Sequence, residues 1–168
     1  MKKFNLVIAL LLVFVGAAKA SDVSDVRSTV QNVFEQLKSR NYSDLYDLLP
    51  GSSRNRMSRD RFVSALQRAQ YFYQLDRMEI GAVKVSGDLA VVDTTLYGRV
   101  VAPIQAEGKI VAQQYLLRED GKWRVATGDQ SAVKRFLAQN PGFKNFKIRQ
   151  PRIYVKQGDK WVEFNGRR

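Results

Sequence analysis

The chain has no cysteine and no histidine. Without cysteine no disulfide can staple the fold, no thiolate can serve as nucleophile or metal ligand, and no thioether can carry a lipid anchor. Without histidine the usual metal ligand and the usual general base near neutral pH are both missing, so imidazole metal sites and Ser-His or Cys-His nucleophiles are excluded. Carboxylate, Tyr, Lys and Arg are the chemistry that remains, and neither a metal site nor a cofactor is expected. Acidic residues are scarce as well, 16 against 28 Lys and Arg, for a net charge of +12. A membrane-spanning run is lacking, because the apolar stretch at 6–15 is well short of the roughly 20 residues needed to cross a bilayer.

What is present begins with that stretch. Lys2-Lys3, the apolar run and Ala18-Lys19-Ala20 have the charged, apolar and small-residue layout of a secretory signal, which predicts cleavage after Ala20. The mature chain would then be periplasmic or extracellular, with no transmembrane anchor. Removing Lys2, Lys3 and Lys19 leaves 25 basic residues against 16 acidic ones, still strongly cationic. At 168 residues, 45% hydrophobic and 11% aromatic, the chain has room for one domain with a real core. Stability has to come from that core alone.

The centre of the sequence reads as antiparallel strands. Residues 77–85 and 89–101, rich in Val, Thr, Leu and Tyr, flank Ser86-Gly87-Asp88 and predict a hairpin. In the first arm Met78 and Ile80 fall on one face by period-2 counting, but Val83 and Val85 on the other. Gly81 sits at the changeover, which predicts a bulge there. A third strand at 110–117 runs into Asp120-Gly121, a strong hairpin signal, and Trp123 and Val125 share a face of a fourth. Pro103 and Gly108 mark a loop between the second and third strands.

Helical spacing brackets this region. Val26, Val30, Val33, Phe34 and Leu37 form one apolar stripe from Val23, with Asp22, Ser24 and Asp25 available to cap its start and an end near Arg40-Asn41. Ser43 is placed to cap a short helix carrying Leu45, Leu48 and Leu49 before Pro50-Gly51. A basic loop, 54–61, follows. Ser58 then caps a third helix with Phe62, Val63, Leu66 and Ala69 inward, and Met57 and Phe62 placed for a hydrophobic staple. Beyond residue 129, Asp129 or Ser131 can cap a helix with Val133, Phe136 and Leu137 that stops at Asn140-Pro141-Gly142. Gly158-Asp159 suits the turn of a terminal hairpin in which Ile153, Val155, Trp161 and Phe164 pack down. The fold class predicted is α+β: N-terminal helices packed on a curved antiparallel sheet, with a C-terminal helix and terminal β-hairpin. The expected organisation is a signal peptide at 1–20, an α+β domain at 21–130, and a basic extension at 131–168 packed on it.

The order of an amphipathic helix, the short helix Asn41-Tyr42-Ser43-Asp44-Leu45-Tyr46-Asp47-Leu48-Leu49, a third helix and long strands ending in Leu116-Leu117-Arg118-Glu119-Asp120-Gly121-Lys122-Trp123-Arg124-Val125 resembles the nuclear transport factor 2-like superfamily, the cystatin-like cone folds. The likeness covers residues 23–129. It implies helices covering one face of a curved, cone-like sheet, a pocket at the open end, and the homodimer that many cone folds form through the exposed sheet face. The superfamily includes ketosteroid isomerases, polyketide cyclases, dehydratases, adaptors and exported domains, so the likeness points to a fold and leaves the activity open. Its enzymes use an Asp or a His-Asp pair, and the His-dependent ones are excluded here.

Three functional classes follow. The leading one is a non-enzymatic binding domain for a small ligand or a cell-envelope component, with pocket walls from Tyr46, Tyr73, Tyr97 and Tyr115. The second is a proton-transfer enzyme of ketosteroid isomerase or cyclase type using Asp93, the one acid inside an apolar strand pattern, with a Tyr to stabilise an oxyanion. Its bland alternative is an Asp93 facing solvent opposite a Lys or Arg. The third is an electrostatic binder of anionic envelope polymers through Arg54, Arg56, Arg59 and Arg61 and through Lys144, Lys147, Arg149 and Arg152, the latter interleaved with Phe146 and Tyr154. Charged runs also serve as plain solvated faces. For an exported protein nucleic acid is a less available partner than envelope polymers. Trp123 is expected in the core.

Overall fold

A computed structural model describes residues 2–101, 105–126 and 130–164, with the backbone course alone for 2–20 and 130–132. The elements in chain order are α1 (Lys2–Ser39), α2 (Tyr42–Asp47), α3 (Gly51–Arg54), α4 (Arg59–Gln70), β1 (Tyr73–Ser86), β2 (Leu89–Val100), β3 (Ala106–Glu119), β4 (Lys122–Val125), α5 (Gln130–Gln139), a 3-10 turn (Pro141–Phe143), β5 (Arg152–Gln157) and β6 (Lys160–Glu163). The architecture is mixed α+β, with the N-terminal helices packed on a six-stranded, curved sheet whose pairings are all antiparallel. The strands run β1-β2-β3-β5-β6, and β4 pairs with the far end of β3. Length makes this possible, since the 14 residues of β3 hold β5 on Gly108–Val111 and β4 on Leu116–Glu119.

Alternation along the strands loads both faces of the sheet. On the inner face Val26 and Val30 of α1 pack on Ala90, Val92, Leu116 and Trp123, with Met78, Ile80, Val83 and Val85 closing round them. Trp123 is 6% exposed, in keeping with its expected core place. The phase change in β1 is resolved by a register shift between Ile80 and Val83, at Gly81-Ala82. The two unpaired residues rotate the strand so that Val83 and Val85 rejoin the face of Met78 and Ile80. Arg27 of α1 donates to the bulge carbonyls, 2.9 Å to Gly81 and 3.4 Å to Ile80. The outer face carries Leu89, Val91, Tyr115 and Leu117 under Val133 and Leu137 of α5 and Phe143 of the 3-10 turn.

Helix ends follow local chemistry, in several places other than expected. α1 is already helical through Asp22, Ser24 and Asp25, which therefore cap nothing, and Asp22 instead pairs with Arg118 at 2.7 Å. It stops where Arg40 adopts a left-handed φ of 68° and Asn41 N donates to the Gln36 carbonyl, a Schellman-type ending. Ser43 lies inside α2, whose cap position is Asn41. Part of the expected basic loop is helical, because Pro50 opens α3 and the Glu119 carboxylate accepts from Gly51 N at 2.9 Å. Ser58 caps α4 as expected. Phe62 packs on Tyr46, ring centroids 5.8 Å apart, while Met57 is exposed, so the staple is replaced. Ser131 lies within α5, and Asp129 and Pro103 are outside the described residues. Gly108 belongs to β3 rather than to a loop. In the terminal hairpin Ile153 and Phe164 are 45% and 61% exposed, not packed down.

Candidate functional site

Both helical covers fall short of the same end of the sheet. α1 ends at Ser39 and α5 packs only over the Leu89–Leu117 end, so β2 passes from four fully buried residues at its start to half-buried ones beyond Thr94. Towards the far end, where β1 begins and β5 and β6 join, only the last turn of α1 and the 146–152 segment reach the sheet, and each face carries a depression.

The inner one is an apolar hollow of about 270 Å³. Register builds it in rows: Met78, Leu96, Ile110 and Ile153 lie side by side, and the next row is Leu75, Gly98, Gly108, Val155 and Val162. Two facing glycines leave the middle of the second row without side chains: the Gln74 main chain fills the space at Gly98, while a side chain at Gly108 would meet only ordinary contacts. Leu37 from the last turn of α1, Tyr73 and Val100 complete the walls. Ile110, Ile153, Val162 and Phe164 extend it outward as exposed apolar residues.

The outer depression is a polar trough of about 400 Å³ lined by Glu79, Asp93, Thr95, Gln113, Arg149 and Arg152 among others. Asp93 forms an ion pair with Arg149, and its side chain is 36% exposed. Gln113, 5% exposed, accepts from the Tyr115 hydroxyl and from Arg149 N, both at 2.8 Å, and so pins the 146–152 segment to the sheet. Beyond the trough Tyr97 donates to Glu79 at 3.0 Å, its ring lies 6.2 Å from that of Trp161, and Lys109 sits 4.7 Å from Trp161 and 5.2 Å from Tyr154.

The four tyrosines proposed as pocket walls are dispersed. Tyr73 lines the hollow; Tyr97 contributes its backbone there and its ring to the outer face. Tyr115 lies in the outer core. Tyr46 joins α2 to α4, its hydroxyl within 2.8 Å of the Met57 carbonyl and 3.0 Å of that of Arg54. The arginine cluster is largely engaged inside the molecule. Arg59 binds Asp47 at 2.6 and 3.0 Å and the Ser43 carbonyl, and Arg56 donates to Ser52; Arg54 is half-buried and Arg61 exposed. Of the C-terminal cations, Arg149 and Arg152 line the trough, and Lys144 and Lys147 are exposed on the segment that leads to it.

Electrostatics follow these contacts. The hydrogen bond from Arg77 holds the Glu79 carboxyl below its usual value, with the Tyr97 hydroxyl adding to it, and the bond from Arg59 does the same for Asp47. Burial lifts the phenols of Tyr73 and Tyr115. The residues that shape the hollow, Leu75, Leu96, Gly98, Gly108, Ile110 and Val155, went unremarked in the sequence as a group. The signal was there as alternate apolar positions with a glycine at the same row in two adjacent strands. Reading it required the register.

Among the described residues no helix is long and apolar enough to cross a membrane. The side chains of residues 1–20, and with them the expected leader and its cleavage point after Ala20, lie outside the description. Comparison of the sequence with protein-family models and with curated proteins finds no match to either.

Proposed function

We propose that the protein is an exported, non-enzymatic binding domain that holds a small apolar ligand group at the open end of a cone-like sheet, in keeping with its likeness to nuclear transport factor 2-like folds. The observation that carries this reading is the inner hollow, whose walls are almost wholly hydrocarbon and which spans β1, β2, β3 and β5. Its size decides the kind of occupant. About 270 Å³ lies just below the roughly 300–1,000 Å³ of ligand pockets, so a short alkyl chain or a single partner side chain fits and a large ligand does not. Asp93 supports catalysis poorly, since a general base needs a free carboxylate in an enclosed site and this one is paired with an arginine in an open trough.

The test is a heteronuclear NMR titration of the 21–168 chain with octanoate and octanol. Shifts should concentrate at Leu75, Leu96 and Ile110, and should vanish in Ile153→Asp, a substitution at an exposed position that leaves the fold intact. Unmoved resonances at those three residues would overturn the reading. Sedimentation of the same samples shows whether a second copy takes the hollow instead. N-terminal sequencing of the secreted chain should begin at Ser21.

A further inference from the structure

We infer that the outer face of the open end is a second, separate binding surface, and that its partner is a carboxylated polysaccharide. Three kinds of group run along it without interruption. Asp93, paired with Arg149, and Glu79, paired with Arg77, each keep part of the carboxylate in solvent, Thr95 brings a hydroxyl, and Arg152 a guanidinium with no acidic partner among the described residues. At the trough's end stand the half-buried rings of Tyr97, Tyr154 and Trp161, each keeping part of its surface in solvent. The link is direct: Arg152 lies 5.9 Å from the Tyr154 ring, and Tyr97 donates to Glu79.

The mixture of signs selects the partner. A polyphosphate carries charge on every unit and has no hydroxyl to donate to the oxygens of Glu79 and Asp93, which are held in ion pairs with Arg77 and Arg149. A sugar chain with one carboxylate per unit has many hydroxyls to donate to those two acids, and its carboxylate suits Arg152 in a charge-assisted, bidentate bond. Aromatic rings present a negative face to the weakly positive C–H face of a sugar; Arg77 covers one face of Tyr97, 3.5 Å from its centroid, so the solvent-facing parts of Tyr154 and Trp161 carry that contact. Lys144 and Lys147, exposed on the adjoining segment, raise the local positive potential and draw a polyanion in. The trough volume of about 400 Å³ lies within the ligand-pocket range.

The experiment is calorimetric titration of the 21–168 chain with polygalacturonate, dextran and inorganic polyphosphate at two salt concentrations, repeated with Arg152→Gln and Trp161→Ala. Polygalacturonate should bind best. Arg152→Gln should weaken it about tenfold, as expected for a lost charged hydrogen bond, and Trp161→Ala by several-fold. Tyr154→Leu replaces Trp161→Ala if the latter lowers the urea midpoint. The octanoate shifts should survive Arg152→Gln, which separates this surface from the hollow. Polyphosphate binding as tight as polygalacturonate and indifferent to the ring substitutions would overturn the inference, as would equal binding of dextran or no binding of polygalacturonate.

Discussion

A Cβ built on Gly98 would collide with the backbone carbonyl oxygen of Gln74, closer than real Cβ contacts allow. The approach arises because β1 has a second register shift, between Leu75 and Arg77, with the Asp76 carbonyl held by Lys38 at 2.8 Å and its carboxylate by Arg99 at 3.1 Å. The obstacle is main chain, so the strand must move. Gly98→Ala is expected to cost about 1–3 kcal/mol in urea unfolding, as overpacking does, and to abolish the octanoate response.

Trp123→Ala should be among the most damaging single changes. Its ring is packed between α1 and the sheet and receives the Arg118 guanidinium 4.5 Å from its centroid. A loss of about 3–5 kcal/mol is expected from the cavity, read as a lower thermal midpoint with the Asp22–Arg118 pair disturbed.

Arg40 ends α1 in a left-handed conformation that an L side chain pays for and glycine does not. Arg40→Gly should stabilise the chain by roughly 0.5–1 kcal/mol, the relief of αL strain less the added freedom of the unfolded chain. An unchanged or lower urea midpoint would show that the arginine has a compensating contact.

Acid and alkali should each destabilise the fold, for opposite reasons. Asp47 and Glu79 have folded-state pKa values below their unfolded ones, so their contribution is present above the unfolded carboxylate range and is lost as pH falls through the folded values. Carboxyl NMR titration should find both late to protonate, and Arg59→Gln should return Asp47 towards its ordinary range. Tyr73 and Tyr115 have raised values, so their contribution is complete below the unfolded tyrosine pKa and disappears as pH rises through the folded ones. Tyr115→Phe should remove one late-ionising phenol from the ultraviolet titration.

Local patterns were enough for the elements themselves. The helical stripe from Val26 to Leu37, the turn at Asp120-Gly121, the cap at Ser58 and the bulge at Gly81 are each set by neighbours within a few residues, and each could be read in advance. The bulge is the clearest, because a period-2 pattern that changes phase has few ways to keep both halves on one face. Segment ends were harder to read: Ser43 and Asp22 have good capping side chains, yet each lies inside a helix that already runs through it.

The amino-acid sequence alone determined the chemistry open to this protein: no imidazole, no thiol, a cationic surface, and a mixed set of helices and antiparallel strands. Tertiary structure decided which residues meet. It separated Tyr46 from Tyr97 and Tyr115, paired Asp93 with Arg149 across 56 positions, and set Gly98 opposite Gly108 in the lining of an apolar hollow. The reason is range. Capping, turns and periodicity act over a few neighbouring residues, whereas a site depends on register between strands and on where a covering helix stops, and both are fixed only when distant segments pack.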